Sequence, residues 1–205
     1  GGMTSNAALQ AVRRLLNAAK AGHTGTLDPM ATGLLPLTFG EATKFSADLL
    51  NADKSYRATL QLGITTRTGD ADGDVIDRCD TAVSSAQLDA TLSRFIGTVA
   101  QVPPMHSAVK RDGQPLYKLA REGTEVERAP RQITVHHMTL VERCGDVVVV
   151  DVDCSKGTYV RVLAQDIGRA LGCGAHLTAL RRTRAGQLSV DDAVTLPALE
   201  EMSLE

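Results

Sequence analysis

The chain has 205 residues, 43% of them hydrophobic, and a formal net charge of −2. That length buries a real core and fits one domain, or one domain with a small appendage, while the slightly acidic balance argues against a protein that coats nucleic acid indiscriminately. No apolar run approaches the roughly 18 residues of a membrane span, and no basic segment followed by an apolar run opens the chain, so a globular cytoplasmic protein without membrane contact is expected.

Ser5 or Asn6 caps a first helix in which Leu9, Val12, Leu15 and Leu16 recur at helical spacing, leaving Arg13, Arg14 and Asn17 outward. It ends before Gly22-His23-Thr24-Gly25-Thr26-Leu27-Asp28-Pro29-Met30-Ala31-Thr32-Gly33, a glycine-punctuated loop holding one carboxylate, one imidazole and three hydroxyls. Pro29 pushes Asp28 out of the helical region. Asp28 is then either a helix N-cap, with Pro29 in the first helical position, or a chemical group at a loop corner.

Residues 56–62 alternate, with Tyr56, Ala58, Leu60 and Leu62 on one side and Arg57, Thr59 and Gln61 on the other, as in a half-buried strand stopped by Gly63. The acidic stretch 69–80 resembles a calcium loop at first sight. Counted from Asp70, however, its glycine falls at the fourth position rather than the sixth, and Thr81 at the twelfth is no bidentate acid, so an acidic hairpin or turn is expected. Leu88, Leu92, Phe95 and Ile96 predict a helix over 85–96 with Gly97 as its stop.

From Val102 to Arg131 the pattern dissolves into prolines and glycines among Lys110, Arg111, Lys118, Arg121, Arg128 and Arg131. A long, basic, irregular insertion of this kind points to a functional loop. Residues 147–152 read as a buried strand and Lys156-Gly157 as a turn. An extended run from Thr158 to Arg161 places Tyr159 and Arg161 on one face. A helix with Leu163, Ile167, Ala170 and Leu171 as its stripe follows, ending at Gly172. Strands interleaved irregularly with helices, without a βαβ rhythm, indicate an α+β fold with a mixed, mainly antiparallel sheet.

Charge is segregated along the chain. Residues 1–27 hold Arg13, Arg14 and Lys20 and no acid, and residues 156–184 hold Lys156, Arg161, Arg169, Arg181, Arg182 and Arg184 against Asp166 alone. The compensating acids are Asp70, Asp72, Asp74, Asp77, Asp80, Asp89 and a C-terminal group of Asp191, Asp192, Glu200, Glu201 and Glu205. Either a polyanion finds one basic face, or the surface is simply mixed and solvated. The cysteines Cys79, Cys144, Cys154 and Cys173 form no CxxC pair and no zinc spacing, which predicts free, partly buried thiols and no metal.

Five blocks stand in order along the chain: Gly22 to Pro29 with Ala31-Thr32-Gly33, Gly40-Glu41-Ala42-Thr43-Lys44, Asp53-Lys54-Ser55-Tyr56-Arg57-Ala58, Ser155-Lys156-Gly157-Thr158-Tyr159-Val160-Arg161, and Gly172-Cys173-Gly174-Ala175-His176-Leu177 through Leu180-Arg181-Arg182-Thr183. Together, and in this order, they resemble the TruB family of tRNA pseudouridine synthases. They run from residue 2 to about 195, essentially the whole chain. Family members usually begin with a further strand ending in a Lys-Pro-x-Gly-like element, of which Gly2-Met3-Thr4-Ser5 remains, and continue into a small RNA-binding PUA domain. The expectation is therefore a trimmed catalytic domain over 1–205, with 102–131 as an RNA-gripping insertion.

The resemblance implies a pseudouridine-synthase-like sheet flanked by helices and an isomerisation of uridine-55 in the T loop of tRNA: the uracil is cut from C1′ of its ribose, turned, and rejoined through C5. It implies no cofactor and no metal. Asp28 becomes the carboxylate at the ribose, attacking C1′ or removing the C2′ proton. Arg161 becomes the cation that keeps that carboxylate ionised, and Tyr159 the phenol that accepts the C5 proton. Tyr56 resembles the aromatic that stacks on the base and Leu180 the apolar residue closing the pocket. His23 resembles the histidine that contacts the splayed loop once the base is flipped out. Lys44, Lys156, Arg181 and Arg182 would contact phosphates. Asp70 is either an acid that holds the Arg161 guanidinium or a solvated turn aspartate. No membrane, no obligate protein partner and no more than a monomer are implied. The competing reading is a tRNA-binding and tRNA-folding module with secondary or no catalysis. An acid–base glycosidase would need a second carboxylate in these blocks, and Asp70 is the only other candidate.

Overall fold

The computed structural model describes residues 1–111 and 113–202, so Glu205 lies outside the described residues. The chain begins with α1 (Ser5–Leu15), β1 (Ala21–His23), β2 (Thr32–Gly33), β3 (Leu37–Phe39), a 3-10 turn (Gly40–Phe45), α2 (Ser46–Asn51) and β4 (Lys54–Leu62). It continues through β5 (Ile64–Thr66), β6 (Val75–Arg78), α3 (Ser85–Arg94), β7 (Gly97–Gln101), β8 (Lys110–Arg111), β9 (Gln114–Pro115) and α4 (Leu116–Arg121). The remainder is β10 (Arg131–Cys144), β11 (Val147–Cys154), α5 (Val160–Ala170), β12 (Ala175–Ala185), β13 (Leu188–Ser189), a 3-10 turn (Val190–Asp192) and α6 (Leu196–Met202). Two compact units result, one made of Gly1–Arg57 and the chain from Ala179 onward, the other of Ala58–Thr178. The passages between them fall inside β4 and β12.

In the Ala58–Thr178 unit the strand order is β12-β4-β11-β10-β7, and β10 pairs antiparallel with both β11 and β7. Period-2 alternation turns Ala58, Leu60 and Leu62 of β4 and Val148, Val150 and Val152 of β11 inward, all fully buried. Each leucine and valine among them contributes about 1.5–3 kcal/mol of hydrophobic stabilisation. Leu88 and Leu92 of α3 and Leu163 and Ile167 of α5 join this core. The α3 helix opens on a capping box between Ser84 and Gln87 and ends at Arg94. Gly97 does not stop it but begins β7 at φ +105.

The acidic stretch folds as the expected turn, between the antiparallel strands β5 and β6. The insertion is less irregular than its composition suggests. Strands β8 and β9 pair as a small hairpin, α4 follows, and Leu116 is buried with its N–H donating to the Val109 carbonyl at 2.8 Å.

In the other unit, β12 pairs antiparallel with β13 and parallel with β2, while β1 pairs antiparallel with β3. Helix α1 buries Leu9 and Val12. Its cap is Thr4, whose hydroxyl accepts from the Ala7 N–H at 3.1 Å, rather than Ser5 or Asn6. The architecture is α+β with a mixed, mainly antiparallel sheet.

Cys79 and Cys144 are exposed and Cys154 and Cys173 buried, none of the four in a disulfide among the described residues, and burial pushes the Cys173 thiol up. Among the described residues no helix is long and apolar enough to cross a membrane, and no cluster of His, Cys, Asp or Glu could hold a metal ion.

Helix α5 passes so close to the start of β12 that a Cβ at Gly168 would lie 2.2 Å from the Ala175 nitrogen. Backbone cannot yield as a side chain can, so Gly168→Ala is expected to cost about 2 kcal/mol or more in urea denaturation. An unchanged midpoint would contradict the contact.

Candidate active site

No helix follows Asp28. The Ala31 N–H donates to the Asp28 carbonyl at 2.9 Å, closing a turn with Pro29 at its second position, and the chain then enters β2. The capping alternative therefore falls, and Asp28 sits half-buried at a proline-fixed corner.

Both neighbours of Asp28 are tied down. The Ser5 hydroxyl accepts from the Leu27 N–H at 2.8 Å and donates to the Leu27 carbonyl at 3.3 Å. The Gly2 N–H donates to the Pro29 carbonyl at 2.7 Å. Ser5, expected only as a helix cap, instead anchors the loop.

Deeper in the same unit lies Arg182, 1% exposed. Its Nε donates to the Leu34 carbonyl at 2.7 Å and its Nη2 to the Gly25 carbonyl at 3.1 Å. Gly33 lets the backbone approach: its φ is +94, and a Cβ there would meet the Arg182 carbonyl oxygen at 2.2 Å. The expectation that Arg182 contacts phosphate is corrected, because the strand's alternation sends Arg181 outward and Arg182 inward, where its N–H groups serve the loop.

His23 ends β1 with its Nδ1 buried and without a hydrogen-bond partner. Burial, and then the nearby Arg182 charge, hold the imidazole below its ordinary 6.5, so it is neutral at pH 7. Lys44 is exposed in the 3-10 turn and ion-paired with Glu41. Tyr56 is half-buried on β4, Leu180 is buried on β12, and Arg181 is exposed beside it. Sequence reasoning missed Lys54, whose buried ammonium donates to the carbonyls of Leu49, Leu50 and Ala52 at 3.2, 2.7 and 2.6 Å, capping α2 just ahead of Tyr56.

The Ala58–Thr178 unit carries Asp70, Lys156, Tyr159 and Arg161. Helix α5 begins at Val160, so the expected extended run to Arg161 ends at Tyr159, whose φ −97 and ψ 103 are the last β-like values. The reason is the apolar stripe: Val160, Leu163, Ala164 and Ile167 are all buried, and the Leu163 N–H already takes the Tyr159 carbonyl at 3.0 Å.

Arg161 is 4% exposed. Its Nε lies 3.3 Å from Asp70 Oδ2, its Nη1 donates to the Thr68 carbonyl at 3.2 Å, and its Nη2 to the His106 carbonyl at 3.1 Å. Asp70 is itself buried and accepts from the Thr68 hydroxyl and the Asp72 N–H, which rules out a solvated turn aspartate. Lys156 is exposed. Thr68 and His106 also line an open cleft of about 600 Å³ with Arg67, Arg128, Asp166 and Arg169. Burial raises the Asp166 carboxyl, with Arg169 opposing at 3.0 Å.

Replacing the acid of a buried pair strands the cation. Asp70→Asn is expected to lower stability by about 3–5 kcal/mol in chemical denaturation; a loss under about 1 kcal/mol, as for an exposed pair, would contradict burial. For His23, the unfolded chain binds a proton below 6.5 that the folded chain refuses, so its contribution to stability is present above 6.5 and is lost as pH falls towards the folded value. An NMR titration should place the His23 midpoint below 6.5.

A family model described as TruB family pseudouridylate synthase, N-terminal domain, matches residues 13–160, and one described as the tRNA pseudouridylate synthase B C-terminal domain matches 161–205. The chain is 63% identical to a tRNA pseudouridine synthase B of Aromatoleum aromaticum, covering 100% of this chain and 66% of that protein. To the protein of that name from Dechloromonas aromatica it is 59% identical, covering 98% and 67%. Among solved structures it matches a chain of a Cbf5–Nop10–Gar1 complex with a TM-score of 0.72 and 34% identity, over 92% of this chain and 47% of that one. An archaeal box H/ACA sRNP Nop10–Cbf5 complex gives 0.73 and 32%, over 98% and 50%. The chain thus spans about two thirds of the curated relatives and about half of the structural ones.

Proposed function

Since the chain belongs to the TruB family of pseudouridylate synthases, we propose that it isomerises uridine-55 in the T loop of tRNA to pseudouridine. The carrying observation is Asp28: a carboxylate at a proline corner, whose flanking peptides are held by Ser5 and Gly2, is fixed as a reacting group must be.

The reaction breaks the C1′–N1 bond, turns the uracil and forms C1′–C5; C5 loses its proton and N1 gains one, so no net proton is consumed. No electrons leave the substrate, so the residues need only supply and remove protons or a transient bond. Asp28 works at the ribose, as a nucleophile at C1′ or a base at the C2′ proton, and both routes require it ionised. Tyr159 accepts the C5 proton, and Arg161, held by Asp70, is the cation of the site. Tyr56 stacks on the uracil and Leu180 closes the pocket.

The base must leave its stack first, at a cost of a few kcal/mol, and His23 presents a neutral imidazole to the opened loop. Exposed Lys44, Lys156 and Arg181 contact phosphates, which adds affinity without sequence information. Residues 102–131 grip the stem as an insertion within one catalytic domain. The protein acts in the cytoplasm as a monomer; Nop10 and Gar1 belong to the complexes of the matched structures.

Asp28→Asn separates catalysis from an RNA-folding role. The variant is expected to bind a T-arm hairpin within about threefold of the parent, since phosphate contacts supply the affinity. Pseudouridine formation should fall on the order of 10³-fold or more. Primer extension after carbodiimide treatment reads the product, and product formation at the parent rate overturns the assignment.

A further inference from the structure

Gln101 stands at the end of β7, immediately before the insertion, and is 3% exposed. Its side-chain amide makes two hydrogen bonds to one residue. Oε1 accepts from the Tyr159 N–H at 2.8 Å, and Nε2 donates to the Tyr159 carbonyl at 3.2 Å. A primary amide presents an acceptor and a donor side by side, so it can engage both backbone groups of one residue, as a neighbouring strand residue would. Asn is a methylene too short for the same reach, and an ionised Glu has no donor.

The grip falls where the backbone changes state. Tyr159 is the last extended residue before α5, and its carbonyl already accepts from Leu163. A burial-driven core would fill this position with an apolar side chain and avoid desolvating an amide, which costs about 1–3 kcal/mol unless its bonds are made. Here a buried amide instead spends its oxygen and one of its two N–H donors on Tyr159.

We propose that Gln101 is a positioning residue, which fixes the Tyr159 backbone and thereby aims the phenol at the uracil. This rests on the role given to Tyr159 above. It also places the root of the insertion and the base-facing tyrosine on one side chain, so that an RNA held by residues 102–131 pulls directly on the residue that orients Tyr159.

Three variants of the 205-residue chain test this. Gln101→Met keeps the length and removes both bonds. Gln101→Glu keeps an acceptor, and when protonated its carboxyl supplies an O–H donor as well. Gln101→Asn withdraws the amide. Single-turnover rates and Kd are measured on a T-arm hairpin, and folding is checked by thermal unfolding. Gln101→Met and Gln101→Asn are expected to slow the single turnover by about tenfold to a hundredfold, with Kd unchanged. Gln101→Glu should lose rate, relative to the parent, as pH rises through the titration of its new carboxyl. The chain has three tyrosines and no tryptophan, so 3-fluorotyrosine labelling gives three ¹⁹F signals, assignable by Tyr→Phe substitution. The Tyr159 signal should move in Gln101→Met while that of Tyr117 stays.

Folded variants that keep the parent rate within twofold overturn the proposal, as does an equal loss in Kd and rate. If the parent itself makes no pseudouridine, the proposed function fails. The ¹⁹F signal then decides the clamp alone, and an unmoved Tyr159 resonance in Gln101→Met overturns it.

Discussion

A guanidinium withdrawn from water must find oxygens for its N–H groups, and it carries five of them in a rigid fork. In each unit one arginine buried among the described residues imposes this demand: Arg182 in one, Arg161 in the other. Each answers it with the carbonyls of loops distant in sequence, Gly25 and Leu34 for Arg182, Thr68 and His106 for Arg161. Loops that their own sequences leave irregular are thereby given a fixed course. The two differ in charge compensation. Arg161 has the Asp70 carboxylate beside it, whereas Arg182 is met by the carbonyl dipoles of Leu34 and Gly25, and its field is felt by His23.

Positioning at the two residues given the central roles follows one device. A buried side chain grips both backbone groups of one residue through its donor and its acceptor: Ser5 holds Leu27, next to Asp28, and Gln101 holds Tyr159. Neither grip restrains the reacting side chain itself. What is fixed is the backbone from which it projects, and rotamer packing has only to complete the aim. Strand and helix ends suit this device because their backbone groups are not all consumed by regular pairing.

Elements with strong local periodicity were legible in the chain alone. The alternation from Tyr56 to Leu62 reappears in place, as do Leu163 and Ile167 of the α5 stripe, because burial on one face is decided by neighbours along the sequence; Ala170, expected on that stripe, is exposed at the helix end. What was not legible depended on partners far away. Arg182 reads as one more cation until Leu34 and Gly25, 148 and 157 positions earlier, take its N–H groups. The turn at Asp28 and a helix cap begin with the same Asp-Pro pair, and the choice is made by Ser5 and Gly2. Asp70 could be written only as a possible companion of Arg161, since a turn aspartate looks alike whether it faces water or a buried guanidinium. Gln101 carried no signal, because a lone amide before a loop is common, and Lys54, though inside the third block, gave no sign that its ammonium turns back to the carbonyls at the end of α2.

The inward turn of those two arginines also changes how the basic stretch 156–184 counts. Six cations stand there, but Arg161 and Arg182 are internal, leaving Lys156, Arg169, Arg181 and Arg184 at the surface. A polyanion lying along that stretch can release counterions only for charges it meets, at close to one ion per neutralised phosphate. The thermodynamic valence of the segment is therefore set by four side chains rather than six, with Arg169 further offset by Asp166. Half-saturation of such a complex would shift less with ionic strength than a tally of basic residues suggests.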